Sequence, residues 1–255
     1  MTGSIEQPLR SSVEGGVLTL QLNRPRARNA INRALRVQLR DALQAAAVDD
    51  AVRVVVIRGG EQSFCAGGDI KEMGKGLADN AMKLGLAKQI VQAIADMPKP
   101  VVAVVRGHAA GAGFSAALAC DFVVADETAQ FHASFVGRGL VPDMGASYWL
   151  VRQVGLHRAK SILLTGRVLT GQDGFELGFV SHYCPNGDLE ARLQVLTSGL
   201  ATASPMALGL TKRMLNRALE TDLSAALDSE LVSQLFAAES SEARAALHPA
   251  ARAAH

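Results

Sequence analysis

Two glycine-rich turns carry the residue types and spacing that could stabilise a negatively charged oxygen. The first turn follows an apolar stretch at residues 52–57 and includes Gly67 and Gly68. The second follows Val101–Val105 and runs through residues 111–113. Glycine lets the backbone turn sharply and lets another group approach closely. Two such turns can aim two backbone N–H groups at one point, an arrangement that holds a developing oxyanion.

Apolar strands and helices alternate around these turns. Val17–Leu22 alternates apolar and polar residues, whereas residues 52–57 and Val101–Val105 are continuous apolar runs, as in strands buried on both faces. Asn29 could cap a helix that runs to Val48. Further predicted elements are helices at residues 82–95 and 115–120 and a strand at residues 121–125. This order predicts a mainly parallel α/β fold with crossover helices.

The chain changes character after about Thr197. Residues 208–218 and Leu223–Ala238 are rich in alanine and leucine at helical spacing, and no strand pattern lies between them. This indicates an α-helical C-terminal part, which packs either on its own core or on a neighbouring subunit.

Composition argues against several classes of function. The chain has 255 residues, a formal net charge of +2 and no long basic run, so nucleic acid is not an expected partner. No apolar run reaches membrane-spanning length and the first residues do not resemble a signal peptide, so we expect no membrane association. Cys65, Cys120 and Cys184 lack metal-ligand spacing, and their odd number fits a reduced, cytoplasmic setting with each thiol buried.

Several short motifs together resemble those of the crotonase family, also called the enoyl-CoA hydratase/isomerase family. The motifs are Asn23-Arg24-Pro25 with Asn29-Ala30, Phe64-Cys65-Ala66-Gly67-Gly68-Asp69-Ile70, Lys99-Pro100-Val101 with Gly107 to Gly113, Leu164-Thr165-Gly166-Arg167, Gly178-Phe179-Val180, and Ser204-Pro205 before Thr211-Lys212. Each motif alone is weak, but their joint order and spacing over nearly the whole chain is specific.

The resemblance implies a spiral of ββα units at residues 1–197 and a helical trimerisation region at residues 198–255. It also implies a homotrimer or a hexamer built from two trimers, and an acyl-CoA thioester as substrate. Coenzyme A then enters as part of the substrate, with no permanently bound cofactor and no metal. The oxyanion donors would be the backbone N–H groups of Gly68 and Ala112, where alanine replaces the family's usual glycine. Alternatively, the turns merely allow a helix to pack tightly on a strand.

The acid–base residues of the family's hydratases are missing. Their two glutamates correspond to Ser115 and Phe135, and neither side chain can replace a carboxylate near neutral pH. Asp143, which follows Val141-Pro142, resembles the single base of the branch that includes the phenylacetate-pathway enoyl-CoA isomerases. A single base suits isomerisation, in which a proton leaves C2 of a 3-enoyl thioester and returns at C4.

Asp143 also leaves alternatives open. The same position holds the nucleophilic aspartate of chlorobenzoyl-CoA dehalogenases, so a dehalogenase or hydrolase is the second hypothesis. A chain without both glutamates could instead bind acyl-CoA without turning it over. An aspartate after proline can also simply form a turn. Assignment as an enoyl-CoA hydratase is the general expectation for such a sequence, although its residues argue against efficient hydration.

Further residues are predicted along the acyl and coenzyme A moieties. Candidates for an apolar acyl pocket are Phe114, Ser115, Phe135, Met144, Tyr148 and Trp149. The resemblance places Arg26, Ala66, Asp69, Ile70 and Lys71 along coenzyme A. Core packing is the alternative for the aromatic residues, and solvated surface charge is the alternative for the two basic ones.

Four more residues near these motifs are predicted to be secondary. His108 and His132 are expected to be structural. Arg138 could contact the acyl group, although exposure to solvent is the expectation. Arg252 could replace a lysine with which relatives reach a neighbouring subunit's coenzyme A.

Overall fold

Strands and helices alternate along the part of the chain that the computed structural model describes, residues 7–74, 76–185 and 187–247. The strands are β1 (Leu9–Glu14), β2 (Val17–Leu22), β3 (Val54–Arg58), β4 (Ser63–Cys65), β5 (Val101–Val105), β6 (His108–Ala110), β7 (Phe122–Asp126), β8 (Gln130–His132), β9 (Val168–Thr170) and β10 (His182–Cys184). The helices are α1 (Arg33–Val48), α2 (Leu77–Asp96), α3 (Ala112–Ala119), α4 (Ala146–Val154), α5 (Leu156–Thr165), α6 (Gly171–Leu177), α7 (Leu189–Thr202), α8 (Pro205–Arg217), α9 (Leu223–Ala238) and α10 (Ser241–Leu247). The predicted α/β fold with an α-helical C-terminal region is confirmed.

The larger sheet has six strands in the order β1-β2-β3-β5-β7-β10. β1 is antiparallel to β2, and the other neighbouring strands pair in parallel. Side chains of β3 point alternately into two cores, with Val55 and Ile57 in one and Val54 and Val56 in the other. The continuous apolar run of this strand therefore reflects a sheet that is covered on both faces.

The smaller sheet has four strands of three residues each, in the order β4-β6-β8-β9. β4 and β6 pair in parallel, with Ser63 opposite His108 and Cys65 opposite Ala109. Each of these two strands leads into one glycine turn, so the sheet fixes the spacing between the turns. Three residues carry too short a hydrophobic pattern to predict such strands from sequence.

Helix α1 begins three residues later than the proposed cap at Asn29 implies. Asn32 is its N-cap, and the Asn32 side chain accepts a hydrogen bond from Leu35 N at 2.9 Å. Asn29 is buried, and its side-chain amide donates to the carbonyl oxygens of Ser63 at 3.0 Å and Phe64 at 3.2 Å. The prediction of Asn29 as the cap is wrong, because that side chain instead ties the segment before α1 to the first turn.

Other predicted boundaries are confirmed or shifted by a few residues. β2, β5 and α9 have the predicted bounds. Helix α2 begins at Leu77 rather than near Met82. Helix α3 begins at Ala112 rather than Ser115. The second shift matters for function, because it makes Ala112 the first residue of a helix.

The C-terminal helices leave a large apolar surface exposed. Helix α9 contacts α8 and α10 and has no buried residue. Leu231, Leu235 and Phe236 on α9 are 62%, 63% and 65% exposed. Thr197, the predicted end of the core region, lies inside α7, and the domain boundary stays a prediction. Arg252 lies outside the described residues.

No single helix among the described residues is both long and apolar enough to cross a membrane. Helices α7 and α8 meet that test only when joined, and they bend by 107° at their junction.

Candidate active site

The two glycine turns meet where β4 and β6 end. Gly67 has a φ of +94°, and a Cβ there would lie 2.7 Å from the carbonyl oxygen of Ala110 and 3.6 Å from Ala112 N. Gly113 is as tightly packed, since a Cβ there would lie 2.4 Å from the carbonyl oxygen of Cys65. A side chain at either glycine would push the turns apart, so glycine is required for their close approach.

The first turn is held by the segment before α1. Ile31 N donates a hydrogen bond to Gly67 O at 2.7 Å. The Asp69 carboxylate pairs with Arg24 at 2.9 Å and accepts a hydrogen bond from Lys71 N at 3.1 Å. These contacts fix the backbone on both sides of Gly68.

The second turn becomes the N-terminus of α3. Gly111 N donates to His132 O at 3.0 Å, and α3 begins at the next residue, Ala112. The first N–H groups of a helix lack intrahelical acceptors and carry the positive end of the helix dipole. Within the described residues, neither Ala112 N–H nor Gly68 N–H donates a hydrogen bond. Both residues line one cavity, so two backbone donors are available to a bound oxygen atom.

The cavity beside the turns has a volume of about 470 Å³. Its apolar side chains are Met73, Leu84, Phe135, Leu140, Val141 and Pro142. Its charged side chains are Arg36, Asp69, Glu72, Lys83, Arg138 and Asp143. An apolar chamber with a few charged groups suits an acyl chain whose reacting end carries polar atoms.

Asp143 enters the cavity wall from the loop before α4. The two residues after it, Met144 and Gly145, have φ values of +48° and +77°. A positive φ is uncommon at methionine and marks a sharp turn directly after the carboxylate. The Oδ1 atom of Asp143 is buried and has no hydrogen-bond partner among the described residues. Burial raises the pKa of this carboxyl group, and the positive charge of Arg36 opposes that rise.

Arg36 also lines the cavity, although it is not among the site residues predicted from sequence. Its side chain on α1 is 12% exposed, and its Nη1 atom lies 3.5 Å from Glu72 Oε2. Its Nη2 atom lies 3.7 Å from the position that a Cβ would take at Gly68. Burial lowers the pKa of Arg36, while the charges of Glu72 and Asp143 raise it. In the sequence, Arg36 is marked only by its position next to the core residue Leu35. That position does not reveal which segment covers the Arg36 side chain.

Six predicted site residues line this cavity. They are Ala66, Gly68, Asp69, Ala112, Phe135 and Asp143. The other predicted coenzyme A residues, Arg26, Ile70 and Lys71, are exposed and lie off its wall. Arg138 is exposed at the wall.

Five residues predicted for the acyl pocket do not line this cavity. Phe114 packs on Phe131 and Phe179, with ring centroids 5.4 and 5.5 Å away. The Ser115 hydroxyl donates to Gly111 O at 3.2 Å. Met144 is buried in the main core. Trp149 lines a second cavity between α2, α4 and α8, together with Tyr148.

His108, His132 and the three cysteines are not among the residues that line the cavity. His108 Nδ1 and His132 Nε2 are 2.9 Å apart on the smaller sheet. The three cysteines are buried, and burial raises the pKa of the Cys65 thiol to about 12. Within residues 7–74, 76–185 and 187–247, no three His, Cys, Asp or Glu side chains group to hold a metal ion.

Comparison with known proteins gives a single family. The profile of the family described as enoyl-CoA hydratase/isomerase matches residues 12–248. The chain is 35% identical over 239 residues to a 1,2-epoxyphenylacetyl-CoA isomerase of Escherichia coli strain K12. The aligned region covers 92% of this chain and 91% of that protein. The chain is also 41% identical over 222 residues to a 2,3-dehydroadipyl-CoA hydratase of the same strain. That aligned region covers 86% of this chain and 85% of that protein.

Solved structures share the arrangement of strands and helices. A crystal structure of an enoyl-CoA hydratase from Bacillus anthracis superposes with a TM-score of 0.91 at 28% identity, covering 95% of each chain. A crystal structure of an enoyl-CoA hydratase/isomerase from Cupriavidus metallidurans CH34 gives a TM-score of 0.88 at 32% identity, covering 96% of this chain and 94% of that chain. The relatives are named both as isomerases and as hydratases, so similarity alone does not choose between the two reactions.

Proposed function

The chain belongs to the enoyl-CoA hydratase/isomerase family and has its crotonase fold, and on this premise we propose that it moves the double bond of an enoyl-CoA thioester. The family and fold that the sequence motifs indicate are thereby confirmed. In the proposed reaction Asp143 is the single base, and the N–H groups of Gly68 and Ala112 hold the thioester oxygen. The substrate is a 3-enoyl-CoA and the product a 2-enoyl-CoA.

This proposal rests mainly on the state of the Asp143 carboxylate. Three carboxylates line the cavity within the described residues, and two of them are engaged: Asp69 by Arg24, and Glu72 by Arg36 and by the backbone N–H of Arg33. Asp143 alone among them has a buried oxygen with no hydrogen-bond partner. A carboxylate in that state is a stronger base than one held by donors.

The proposed chemistry needs only one proton carrier. The Asp143 carboxylate takes a proton from C2, and the electrons of the C2–H bond form an enolate whose charge develops on the thioester oxygen. The two backbone N–H groups stabilise that charge. The carboxyl group then returns the proton to C4, the enolate electrons form the C2–C3 double bond, and the carbonyl reforms. No atom is gained or lost.

Two neighbouring positions argue against water addition. Hydratases of this family use two glutamates, at positions that hold Ser115 and Phe135 in this chain. Ser115 is fully buried, and its hydroxyl is engaged by Gly111 O at 3.2 Å. Phe135 presents a ring to the cavity, which has neither a proton to give nor one to accept.

Hydration is the second candidate function. It is favoured by the 41% identity to a relative named 2,3-dehydroadipyl-CoA hydratase. The dehalogenase or hydrolase hypothesis has a test of its own. Attack by Asp143 as a nucleophile would leave a covalent adduct on this residue, which mass spectrometry detects. A non-catalytic acyl-CoA binder would turn over none of a panel of 2-enoyl, 3-enoyl and aromatic CoA esters.

We place coenzyme A along the first turn. Ala66 and Asp69 line the cavity next to Gly68, where the pantetheine chain would reach the thioester. Arg26 and Lys71 are exposed and carry no ion pair in the described structure, so they are free to meet the nucleotide phosphates. Ile70 is 67% exposed beside Lys71 and would pack on the adenine.

We also propose that α9 forms contacts between subunits in a homotrimer or a hexamer. Its exposed Leu227, Leu231 and Leu235 recur every four residues and form one apolar stripe. A contiguous apolar surface of this kind marks a protein interface. A second copy of the chain fits the family assignment better than an unrelated partner.

The proposed base is tested with the variant Asp143→Asn and the matched control Asp41→Asn, which changes an exposed carboxylate on α1. Purified proteins are supplied with a 3-enoyl-CoA, and the 2-enoyl product is quantified. We expect Asp143→Asn to lose roughly 10²- to 10⁴-fold in rate, as for removal of a general base. Asp41→Asn keeps the wild-type rate. Full activity in Asp143→Asn would contradict the assignment.

A further inference from the structure

The second cavity, between α2, α4 and α8, is as large as a small-molecule site. Its volume is about 640 Å³, within the usual range for such sites. Among the described residues, none lines both this cavity and the one beside the glycine turns. Tyr148 and Trp149, which are predicted for the acyl pocket from the sequence, line the second cavity instead. These two aromatic side chains have no part in the proposed reaction.

The last turn of α2 holds the α8 side of the cavity in place. Carbonyl groups at the end of a helix lack intrahelical donors, and here two of them accept from α8. Lys212 Nζ donates to Ile94 O at 2.8 Å, and Asn216 Nδ2 donates to Ala95 O at 3.1 Å. Lys212 also pairs with Asp121 at 2.6 Å. These contacts fix α8 against α2, so the cavity is formed without a ligand.

Helix α8 gives different sides to α9 and to the second cavity. Leu210 and Met214 line the groove between α8 and α9. Arg213 and Arg217 line the second cavity. Among the described residues, α9 and α10 contribute none to the lining of that cavity. The chain's own C-terminal helices therefore leave it open.

Arg213 and Arg217 form no ion pair within the part of the chain that the structure describes. They lie one turn apart on α8, and both are exposed. Like charges at this spacing repel each other. A guanidinium group matches the geometry of phosphate and carboxylate oxygens and binds them through two parallel hydrogen bonds. An anion between the two arginines would therefore replace repulsion with attraction.

Two carboxylates also line the cavity, and within the described residues neither pairs with the α8 arginines. Glu220 Oε1 accepts a hydrogen bond from the Tyr148 hydroxyl at 2.6 Å and pairs with Arg152 at 2.9 Å. The Arg152 guanidinium lies over the Tyr148 ring, 3.4 Å from its centroid. Asp96, the other carboxylate, is exposed on α2. The lining therefore keeps an excess of positive charge.

Trp149 adds a fixed aromatic ring to this positive lining. Its Cδ1 and Nε1 atoms lie 3.1 Å from the position that a Cβ would take at Gly145. The indole is thus packed directly against the backbone at the start of α4. Aromatic rings of a protein and of a ligand attract each other in stacked or edge-to-face arrangements. A rigid ring beside two free guanidinium groups favours a ligand that has both a ring and a negative charge.

We propose that the second cavity binds an aromatic anion, with its phosphate or carboxylate on Arg213 and Arg217 and its ring on Trp149. The site is separate from the reaction cavity, and the proposal does not depend on the role of Asp143. The negative group supplies the acceptors that the two arginines lack within the chain. The ring covers apolar surface that is otherwise in contact with water.

The test uses three probes that share a benzene ring: phenyl phosphate, benzoate and the neutral benzyl alcohol. Trp149 is the only tryptophan of the chain, so its fluorescence reports on this cavity alone. We expect at least one of the anions to change the fluorescence with saturation below about 1 mM. The tighter anion identifies the preferred negative group. Benzyl alcohol should bind at least about tenfold more weakly, because it cannot pair with the arginines.

Arg213→Met and Arg217→Met each remove one of the proposed contacts. Both side chains are exposed, so we expect melting temperatures close to that of the wild type. Each variant should bind the tighter anion about tenfold or more weakly. Arg158→Met is the matched control, since it removes an exposed arginine of α5 that does not line the cavity. Its affinity for the anion should equal that of the wild type.

Three results would each overturn the proposed site. The first is the absence of saturation with both anions. The second is equal affinity for benzyl alcohol and for the tighter anion, which would show that charge is not read. The third is wild-type affinity in both Arg213→Met and Arg217→Met, which would place the anion elsewhere.

Discussion

Gly67 in the first turn and Ala110 in the second are packed so closely that a Cβ on Gly67 would lie 2.7 Å from the Ala110 carbonyl oxygen. The two turns are separated by more than forty residues of sequence, yet β4 and β6 bring them together. The distance between the backbone donors at Gly68 and Ala112 is therefore set by direct backbone packing. Any residue that widens this contact should affect both stability and catalysis.

Gly67→Ala tests this contact. The new Cβ meets a backbone oxygen and must adopt a φ of +94°, so both packing and backbone strain oppose it. We expect the free energy of unfolding to fall by about 2 kcal/mol or more and kcat to fall by about 10²-fold through displaced donors. Urea denaturation and steady-state kinetics give the two values.

Gly15→Ala separates the two contributions. Gly15 has a φ of +56° in the β1–β2 turn, and a Cβ there would have nothing within 4 Å. Only the backbone strain remains, so a loss of about 1 kcal/mol with unchanged kcat is expected. If both variants lose the same stability and keep full activity, the contact does not position the donors.

Ala112→Pro removes one proposed oxyanion donor with little disturbance of the fold. Ala112 is the first residue of α3, a position at which proline is well tolerated because its missing N–H has no helical acceptor. We expect kcat to fall by roughly 10²- to 10³-fold with a melting temperature close to that of the wild type. Steady-state kinetics and thermal melts check both.

Leu77→Pro is the control for that variant. Leu77 is the first residue of α2, is 87% exposed, and lies outside the cavity lining. Activity in this variant should be unchanged. Wild-type turnover in Ala112→Pro would show that its N–H does not act on the thioester oxygen.

Asp143→Asn should stabilise the fold at neutral pH. Burial raises the pKa of Asp143, so its ionised form is less stable in the folded than in the unfolded chain. Stability from this group is present at low pH and is lost as pH rises through the folded-state pKa. Asparagine avoids that loss, and its advantage in melting temperature should shrink as the pH is lowered.

Asp173→Asn should change stability in the opposite direction. Hydrogen bonds from the backbone and side chain of Thr170, both at 2.8 Å, lower the pKa of Asp173 in the capping box of α6. Its stabilisation is present above the unfolded-state pKa and is lost as pH falls. We expect the free energy of unfolding to fall by about 1 kcal/mol at neutral pH, typical of a lost helix cap.

Equal melting temperatures for Asp143→Asn and wild type at every pH would contradict the direction of the pKa shift given for Asp143.

Leu231→Glu tests the proposed subunit contact of α9. Leu231 is 62% exposed in the middle of the apolar stripe, and a buried interface would not accept a charge in its place. Light scattering after size exclusion should give an oligomer for the wild type and a smaller species for the variant. Ser229→Glu adds the same charge on the opposite side of α9 and should keep the wild-type mass. A monomeric wild type would contradict the proposed contact.

Local sequence patterns predict the longer apolar strands of the larger sheet, whereas β4 and β6, which lead into the turns, are too short to predict. β5 is apolar at all five positions, follows Pro100 and is followed by Arg106 and Gly107, so its limits are readable from the sequence alone. The cap of α1 is not readable in this way, because Asn29 and Asn32 both have suitable side chains. Pairing of Ile31 with Gly68 keeps the first asparagine out of the helix.

The cavity wall is harder to predict for two physical reasons. All eight residues of α3 are buried, so its periodicity does not tell which side chain faces the cavity and which faces the core, and Phe114 faces other aromatic rings. Arg36 is covered by a segment that carries Glu72, thirty-six residues away. The residue pattern of α1 therefore cannot show that the Arg36 side chain is covered by a segment so distant in sequence.

The most direct test of double-bond migration follows a 3-enoyl-CoA and, separately, the matching 2-enoyl-CoA in water enriched in ¹⁸O. Mass spectrometry of the products distinguishes isomerisation from hydration, because only hydration adds an oxygen atom from water. We expect the 2-enoyl-CoA isomer without ¹⁸O, formed by the wild type and not by Asp143→Asn. No conversion of the 3-enoyl-CoA, with ¹⁸O-labelled 3-hydroxyacyl-CoA formed from the 2-enoyl-CoA at a rate that Asp143→Asn retains, would contradict the proposed function.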